Sequence, residues 1–322
     1  MRLPNGSILP GWRDLLLLFV ACSWGLTFLF TKMGLVSFDT LTFAFLRTAI
    51  AAILLNCFAL VHARTWGSVR LRPRDHLAAV GLGLLGLAGF PYCFSLAMES
   101  TSSANGGIIF GATPVVVGII SMAAGLERLR PANWLGLLLS LTGIAAILLP
   151  SLNNPGGEAI VGNLFMVAAM LIWATYTVLN RLLPKHISAL HMTAYASLWG
   201  TSGLALMNLD RLLAQSWSAV TPIAWLGAAC AGILGTGLAY VIWNTYVKHI
   251  GPARTAVFMN LVPVVSALAG YAVLAEPLGL RHLLAAILII PGVALTQLPS
   301  GRSPIFCRHR RAVASKGPTA AP

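Results

Sequence analysis

Apolar residues run along this chain in ten stretches of about twenty, separated by short polar or basic segments. They cover residues 14 to 33, 38 to 61, 77 to 97, 104 to 125, 132 to 150, 162 to 180, 190 to 209, 222 to 245, 255 to 274 and 281 to 298. About twenty residues of α-helix, at 1.5 Å per residue, cross the roughly 30 Å hydrocarbon core of a bilayer. The pattern therefore predicts an all-α integral membrane protein with ten transmembrane helices. The first stretch is longer than the apolar part of a secretory signal and nine more follow, so it is expected to be retained. No separate soluble domain is predicted.

The stretches repeat. TPVVVGIISMAAGLERL at residues 113 to 129 returns 149 positions later as VPVVSALAGYAVLAEPL at 262 to 278. The same gapless lag pairs Trp24 with Trp173, Gly83 with Gly232, Gly86 with Gly235, Gly143 with Gly292 and Pro150 with Pro299. The chain then divides into an N-terminal segment (1–13), a first five-helix repeat (14–150), a linker (151–161), a second repeat (162–298) and a basic tail (299–322). Five is an odd number, so the second copy enters the membrane from the opposite face. The expected fold is two inverted repeats around a central cavity, a construction recurrent in secondary transporters.

Composition agrees: 57% of residues are hydrophobic and 9% charged, far from the roughly 25% charged residues of soluble domains. The formal net charge of +13 would suggest nucleic acid in a soluble protein, but its placement along the chain argues otherwise. Only Lys32, Arg211 and Arg281 fall on one side of the expected topology and Arg47 lies within a span; every other Lys and Arg falls on the opposite side. By the positive-inside rule both termini are expected in the cytoplasm. Anionic headgroups, and no nucleic acid, are the expected partners of that basic face.

Several chemistries are not predicted. The five cysteines form no CxxC or Cys/His spacing, so neither a disulfide framework nor a metal site is expected. No GxxxxGK[ST], HExxH or GxSxG string occurs; no cofactor and no enzymatic activity are expected. GLGLLG at 81–86 satisfies GxGxxG but lies inside an apolar span, where its glycines suit close helix packing. The eight acidic residues all lie near span ends or in loops, so no midplane carboxylate is available for proton coupling. The seven histidines are scattered.

The candidate site rests on helical faces. Trp173, Tyr176, Thr177 and Asn180 share one face of the sixth span, and their lag partners Trp24, Thr27, Phe28 and Thr31 share one of the first. Tyr240, Trp243 and Asn244 make a similar face in the eighth span, with lag partners Pro91, Phe94 and Ser95. Trp24 and Trp173 lie roughly 15 Å into their spans, too deep for an interfacial aromatic belt. Trp24, Thr27, Phe28, Trp173, Tyr176, Thr177, Asn180, Tyr240, Trp243 and Asn244 are therefore candidates for substrate binding, against an alternative role in packing. Arg47 is a full charge inside a span, able to meet a substrate carboxylate, helix-end carbonyls or a neighbouring acid. Pro114 and Pro263 remove the helical hydrogen bonds to Phe110 and Met259 and should kink their helices. With Glu127 and Glu276, each at one end of its helix, they are the expected hinge and gate elements.

The mid-span proline, the glutamate thirteen residues on and the glycine-bearing helix that follows occur twice, beside ACSWGLTF and FLRTAIAAILL in the first two spans. In these features the chain resembles the EamA family of the drug/metabolite transporter superfamily, over residues 14 to 298. The resemblance implies a bacterial inner-membrane permease, a basket-like bundle whose cavity is built by spans 1, 3, 4, 6, 8 and 9, exporting amino acids, related metabolites or toxic organic compounds. The chain departs from the pattern where Pro277 follows Glu276, whereas Arg128 follows Glu127. Uptake or multidrug permeation in the same fold, a lipid scramblase and a membrane-embedded enzyme are the alternative readings. A small-molecule substrate is expected; the oligomeric state is not read from the sequence.

Overall fold

The structure, a computed structural model, describes residues 10–66, 72–126, 131–152, 158–182 and 186–296. Glu127, residues 153–157 of the linker and the segments 1–9 and 297–322 lie outside the described residues. Among the described residues there are ten long helical rods, one for each apolar stretch, with a short helix Leu209–Ala214 and a 3-10 turn Trp217–Ala219 between the seventh and eighth, and no strand. In chain order they are α1 (Pro10–Gly34), α2 (Thr40–Trp66), α3 (Pro73–Ser100), α4 (Ser103–Ala123), α5 (Pro131–Leu152), α6 (Glu158–Leu182), α7 (Ala189–Met207), α8 (Pro222–Ile250), α9 (Pro252–Ala256 continuing to Leu274) and α10 (Leu280–Thr296). Six of them, α1 to α4, α6 and α8, are long and apolar enough to cross a membrane, while α5, α9 and α10 carry shorter apolar cores. Large apolar side chains such as Leu77, Leu206, Leu213 and Ile53 lie on the outer surface, as expected where the solvent is lipid.

Glycines set the closest approaches, and they do so twice. A Cβ on Gly83 of α3 would strike the backbone of Ala196 in α7, and one on Gly232 of α8 would meet the Arg47 carbonyl of α2 at 2.8 Å. Gly83 pairs with Gly232, and Arg47 with Ala196, at the 149-residue lag, so this is one contact made in both halves. Likewise Gly86 receives the Tyr176 ring and Gly235 the Thr27 side chain, again lag partners. Across α5 and α10, Gly143 meets Ala285 and Ile289 while Gly292 meets Gly136 and Ser140. Rising positions on one helix meet falling positions on the other, so these lag-related helices cross antiparallel and the repeats are inverted.

The kinks fall at the prolines. Helix α4 breaks at Ala112, with Pro114 in the first turn of the segment Thr113–Ala123. Helix α9 runs through a 3-10 turn, Val257–Leu261, into a segment with Pro263 in its first turn. The carbonyls those prolines leave unpaired do not stay free: Phe110 accepts from the Thr113 hydroxyl and Met259 from the Val262 N–H. The Pro263 ring packs onto Gly111, where a Cβ would collide with it, so the two kinked helices touch at their breaks.

Two further interruptions have no sequence signature. Gly83–Gly89 of α3 and Ala231–Leu238 of α8 are wound as π-helix. The N–H of Phe90 bonds the Leu85 carbonyl and that of Ala239 bonds Leu234, one residue further back than in an α-helix. Each segment thereby releases the carbonyl an α-helix would have used, Gly86 in the first half and Gly235 in the second.

Candidate functional site

Those two carbonyls organise the middle of the bundle. Trp24 of α1 donates its indole N–H to Gly235 at 2.8 Å, and Tyr240 of α8 donates its hydroxyl to Gly86 at 3.1 Å. A ring from each half is thus fixed on the backbone of the other. Around them the lag partners Trp24 and Trp173 meet edge to face at 5.0 Å between ring centroids, Trp173 lies 4.8 Å from Tyr240 and 5.3 Å from Phe90, and Phe28 lies 5.0 Å from Phe94. Edge-to-face pairs add roughly 0.5–1.5 kcal/mol each beyond burial. The rings enclose a narrow, nearly apolar pocket lined by Trp24, Thr27, Phe28, Arg47, Phe90, Phe94, Phe110, Trp173 and Tyr240, with room for about one water molecule.

Five of the ten residues expected on the path therefore line the pocket: Trp24, Thr27, Phe28, Trp173 and Tyr240. The others, Tyr176, Thr177, Asn180, Trp243 and Asn244, are fully buried beside it. Their polar groups are turned on one another: Asn244 Nδ2 donates to the Tyr176 hydroxyl at 2.8 Å and to Thr193 Oγ1 at 2.9 Å, Trp243 donates to Thr177 at 3.3 Å, and Asn180 donates to the Tyr176 carbonyl at 3.2 Å. This network ties α6, α7 and α8 together. Thr27 donates to the Ser23 carbonyl at 2.9 Å. Phe90 and Phe110, which sequence reasoning did not single out, complete the wall; only the one-turn spacing of Phe90 from Phe94 hinted at it. Helix α2 contributes Arg47 to the lining and α9 contributes no lining residue.

Arg47 is 1% exposed. Its Nη2 lies 3.3 Å from Thr236 Oγ1, its guanidinium carbon is 5.3 Å from the centroid of the Phe94 ring, and its Nε and Nη1 have no partner among the described residues. Trp173 Nε1 is likewise buried and unpartnered. Symmetry explains the second case: the equivalent of the Trp24–Gly235 bond would be Trp173 on Gly86, but Tyr240 already occupies that carbonyl.

Toward one end of the bundle the halves are bridged by polar contacts. Glu276, after α9, accepts from the Ser103 N–H at 2.8 Å and the Ser103 hydroxyl at 3.1 Å, so it caps the start of α4. His282 Nε2 lies 3.0 Å from Asn105 Oδ1, and Thr101 donates to Asn163 at 2.6 Å. Asp39 accepts from the N–H groups of Leu41 and Thr42 at the start of α2 and pairs with Arg211 at 2.9 Å. The hydrogen bond and charge of Asp39 raise the Arg211 pKa above its usual value. Removing the cap is expected to matter modestly. Glu276→Ala should lower unfolding free energy by about 1 kcal/mol, the usual worth of a helix N-cap, and Glu276→Gln by less, because an amide oxygen still accepts from Ser103. Thermal melts of the purified variants check this; equal losses for both would show that the charge, and not the cap bond, is what counts.

Comparison with known proteins agrees with these features. A sequence profile described as the EamA-like transporter family matches residues 11–149 and again 160–298. Uncharacterized transporter YyaM of Bacillus subtilis (strain 168) is 28% identical over 229 residues, 68% of this chain and 72% of that protein. Uncharacterized transporter YoaV of the same organism is 24% identical across 88% of this chain and 96% of its own length. An uncharacterized transporter of Archaeoglobus fulgidus is 28% identical with the same coverage. A solved structure, described only as the crystal structure of a protein, superimposes with a TM-score of 0.64 at 22% identity over 90% of this chain and 98% of its own, a likeness of fold alone.

Proposed function

The chain belongs to the EamA-like transporter family and is a multi-pass membrane transporter, and we propose that it moves a small amphipathic metabolite, an amino acid or related compound, outward by alternating access. The reading places it in a bacterial inner membrane with both termini in the cytoplasm. One observation carries it: the pocket lies where rings from both inverted halves interlock, with Trp24 held on the backbone of α8 and Tyr240 on that of α3. Two halves related in this way can exchange conformations and open a shared midplane pocket to either side.

The pocket has room for about one water molecule, and the aromatic rings fill the volume a solute would take. Opening toward the end that carries Glu276 would separate Glu276 from Ser103 and Asp39 from Arg211. The breaks at Ala112 and before Pro263 are the proposed hinges, since their local capping by Thr113 and Val262 lets each helix bend without exposing the carbonyls that proline orphans. An exposed ion pair is worth at most about 1 kcal/mol, so it can break within a transport cycle.

The test is flux. Proteoliposomes loaded with radiolabelled amino acids and related metabolites should show protein-dependent, saturable exchange for at least one compound, and cells overexpressing the protein should tolerate that compound better than cells lacking it. No protein-dependent flux across the panel would remove the reading. Protection by deletion instead of overexpression would reverse the direction to uptake.

A further inference from the structure

Resting on the transport reading but narrowing its solute away from amino acids, we propose that the pocket receives the carboxylate of an organic anion, a solute with an apolar body and no compensating ammonium group, and that Arg47 is the residue that binds it. Arg47 stays protonated in proteins, so its burial puts a full positive charge in the apolar middle of the bundle. Such a charge is costly unless it is paired. Its surroundings supply little: a loose 3.3 Å contact with the Thr236 hydroxyl and the face of Phe94. Nε and Nη1 lack partners, and among the described residues no carboxylate pairs with it. The guanidinium is a planar set of donors suited to a carboxylate, which would supply the missing charge and acceptors together. Trp173 Nε1, another buried donor without a partner, belongs to the same wall.

The same wall disfavours a cation. Aromatic rings can hold an ammonium group by cation–π attraction, but Arg47 would repel it in a medium that screens weakly. No acidic side chain lines the pocket, and the two backbone carbonyls at its edge are already engaged by Trp24 and Tyr240. A zwitterion would leave its ammonium group uncompensated there. The rings suit an apolar body, which would take their place as the pocket opens.

The experiment uses the purified full-length protein in detergent and reads ligand-dependent thermal stabilisation, which reports affinity by linkage. The probes are phenylacetate, indole-3-acetate and benzoate, set against phenylacetamide, phenethylamine, phenylalanine and sodium chloride. At least one carboxylate should bind at least tenfold tighter than the amide, the amine and the zwitterion, with no matching effect of chloride. Arg47→Gln should lose that preference, and Arg47→Lys should keep part of it because the charge remains. Equal binding of the amide or zwitterion, an unchanged preference in Arg47→Gln, equal protection by chloride, or no carboxylate-specific shift at all would overturn the proposal. If Arg47→Gln does not fold, the charge series on the native protein decides alone. Proteoliposome flux separates the two readings: saturable flux of neutral or zwitterionic solutes that survives Arg47→Gln removes the anion assignment and leaves transport intact, whereas absence of flux for every solute removes transport.

Discussion

Replacing Trp173 with alanine should lower the unfolding free energy by about 3–5 kcal/mol, the cost of emptying a large aromatic site in a packed interior. The side chain is 1% exposed and its ring packs against Trp24, Phe90, Tyr176, Tyr240 and Trp243. Two of these neighbours, Trp24 and Tyr240, are held out of the space by their bonds to backbone carbonyls. Its N–H makes no hydrogen bond, so Trp173→Phe loses only ring area and should cost well under half as much. Denaturant titration in mixed micelles measures both variants; a loss below about 1 kcal/mol for alanine would mean that the core relaxes far more than this packing allows. From the sequence, Trp173→Ala is expected to alter selectivity more than expression. Its depth in the core makes phenylalanine the variant in which selectivity can be read.

Gly83→Leu should abolish the folded protein, and Gly83→Ala should cost at least the roughly 1–3 kcal/mol of an overpacked core. A Cβ at Gly83 points into the backbone of α7, 3.0 Å from the Gly200 nitrogen and closer still to the Ala196 carbonyl. The partner glycine is equally confined: a Cβ on Gly200 would lie 2.6 Å from Leu87 Cβ and 2.9 Å from the Gly83 carbonyl. These obstacles are backbone and Cβ atoms, which no rotamer change moves, so α3 and α7 would have to part. Small residues permitting such close contact drive helix association in bilayers. Gly81, one turn-fragment away, has nothing within 4 Å of its Cβ, and Gly81→Ala should be neutral or stabilising by up to about 1 kcal/mol. Monodisperse yield on size-exclusion chromatography distinguishes them; equal yields for Gly81→Ala and Gly83→Leu would refute the close crossing.

The fold was legible because both of its signals are linear. Run length marks the rods, and one lag predicts which contacts recur, down to Gly86 on Tyr176 matching Gly235 on Thr27. The candidate site was legible only in part. Depth and face singled out Trp24 and Trp173, but a helical face does not reveal whom a polar group will bond. Asn180, Thr177 and Asn244 look like free hydrogen-bonding groups in the sequence, and in the fold Asn180 and Asn244 donate to Tyr176 while Thr177 accepts from Trp243. The π segments were unreadable for a different reason: they change which carbonyl each N–H chooses, and the residues involved are glycine, alanine and leucine with one isoleucine and one threonine.

The exchange of rings between those two segments also bears on how the halves depend on each other. Each half carries a backbone acceptor that its own aromatics do not fill and an aromatic donor that its own backbone does not satisfy. The single chain therefore behaves as an obligate heterodimer covalently joined. Cut in the linker and expressed as two polypeptides, the fragments should recover function only when they are made together, and two copies of the same fragment should not substitute, since Trp24 and Tyr240 are complementary parts of one lock.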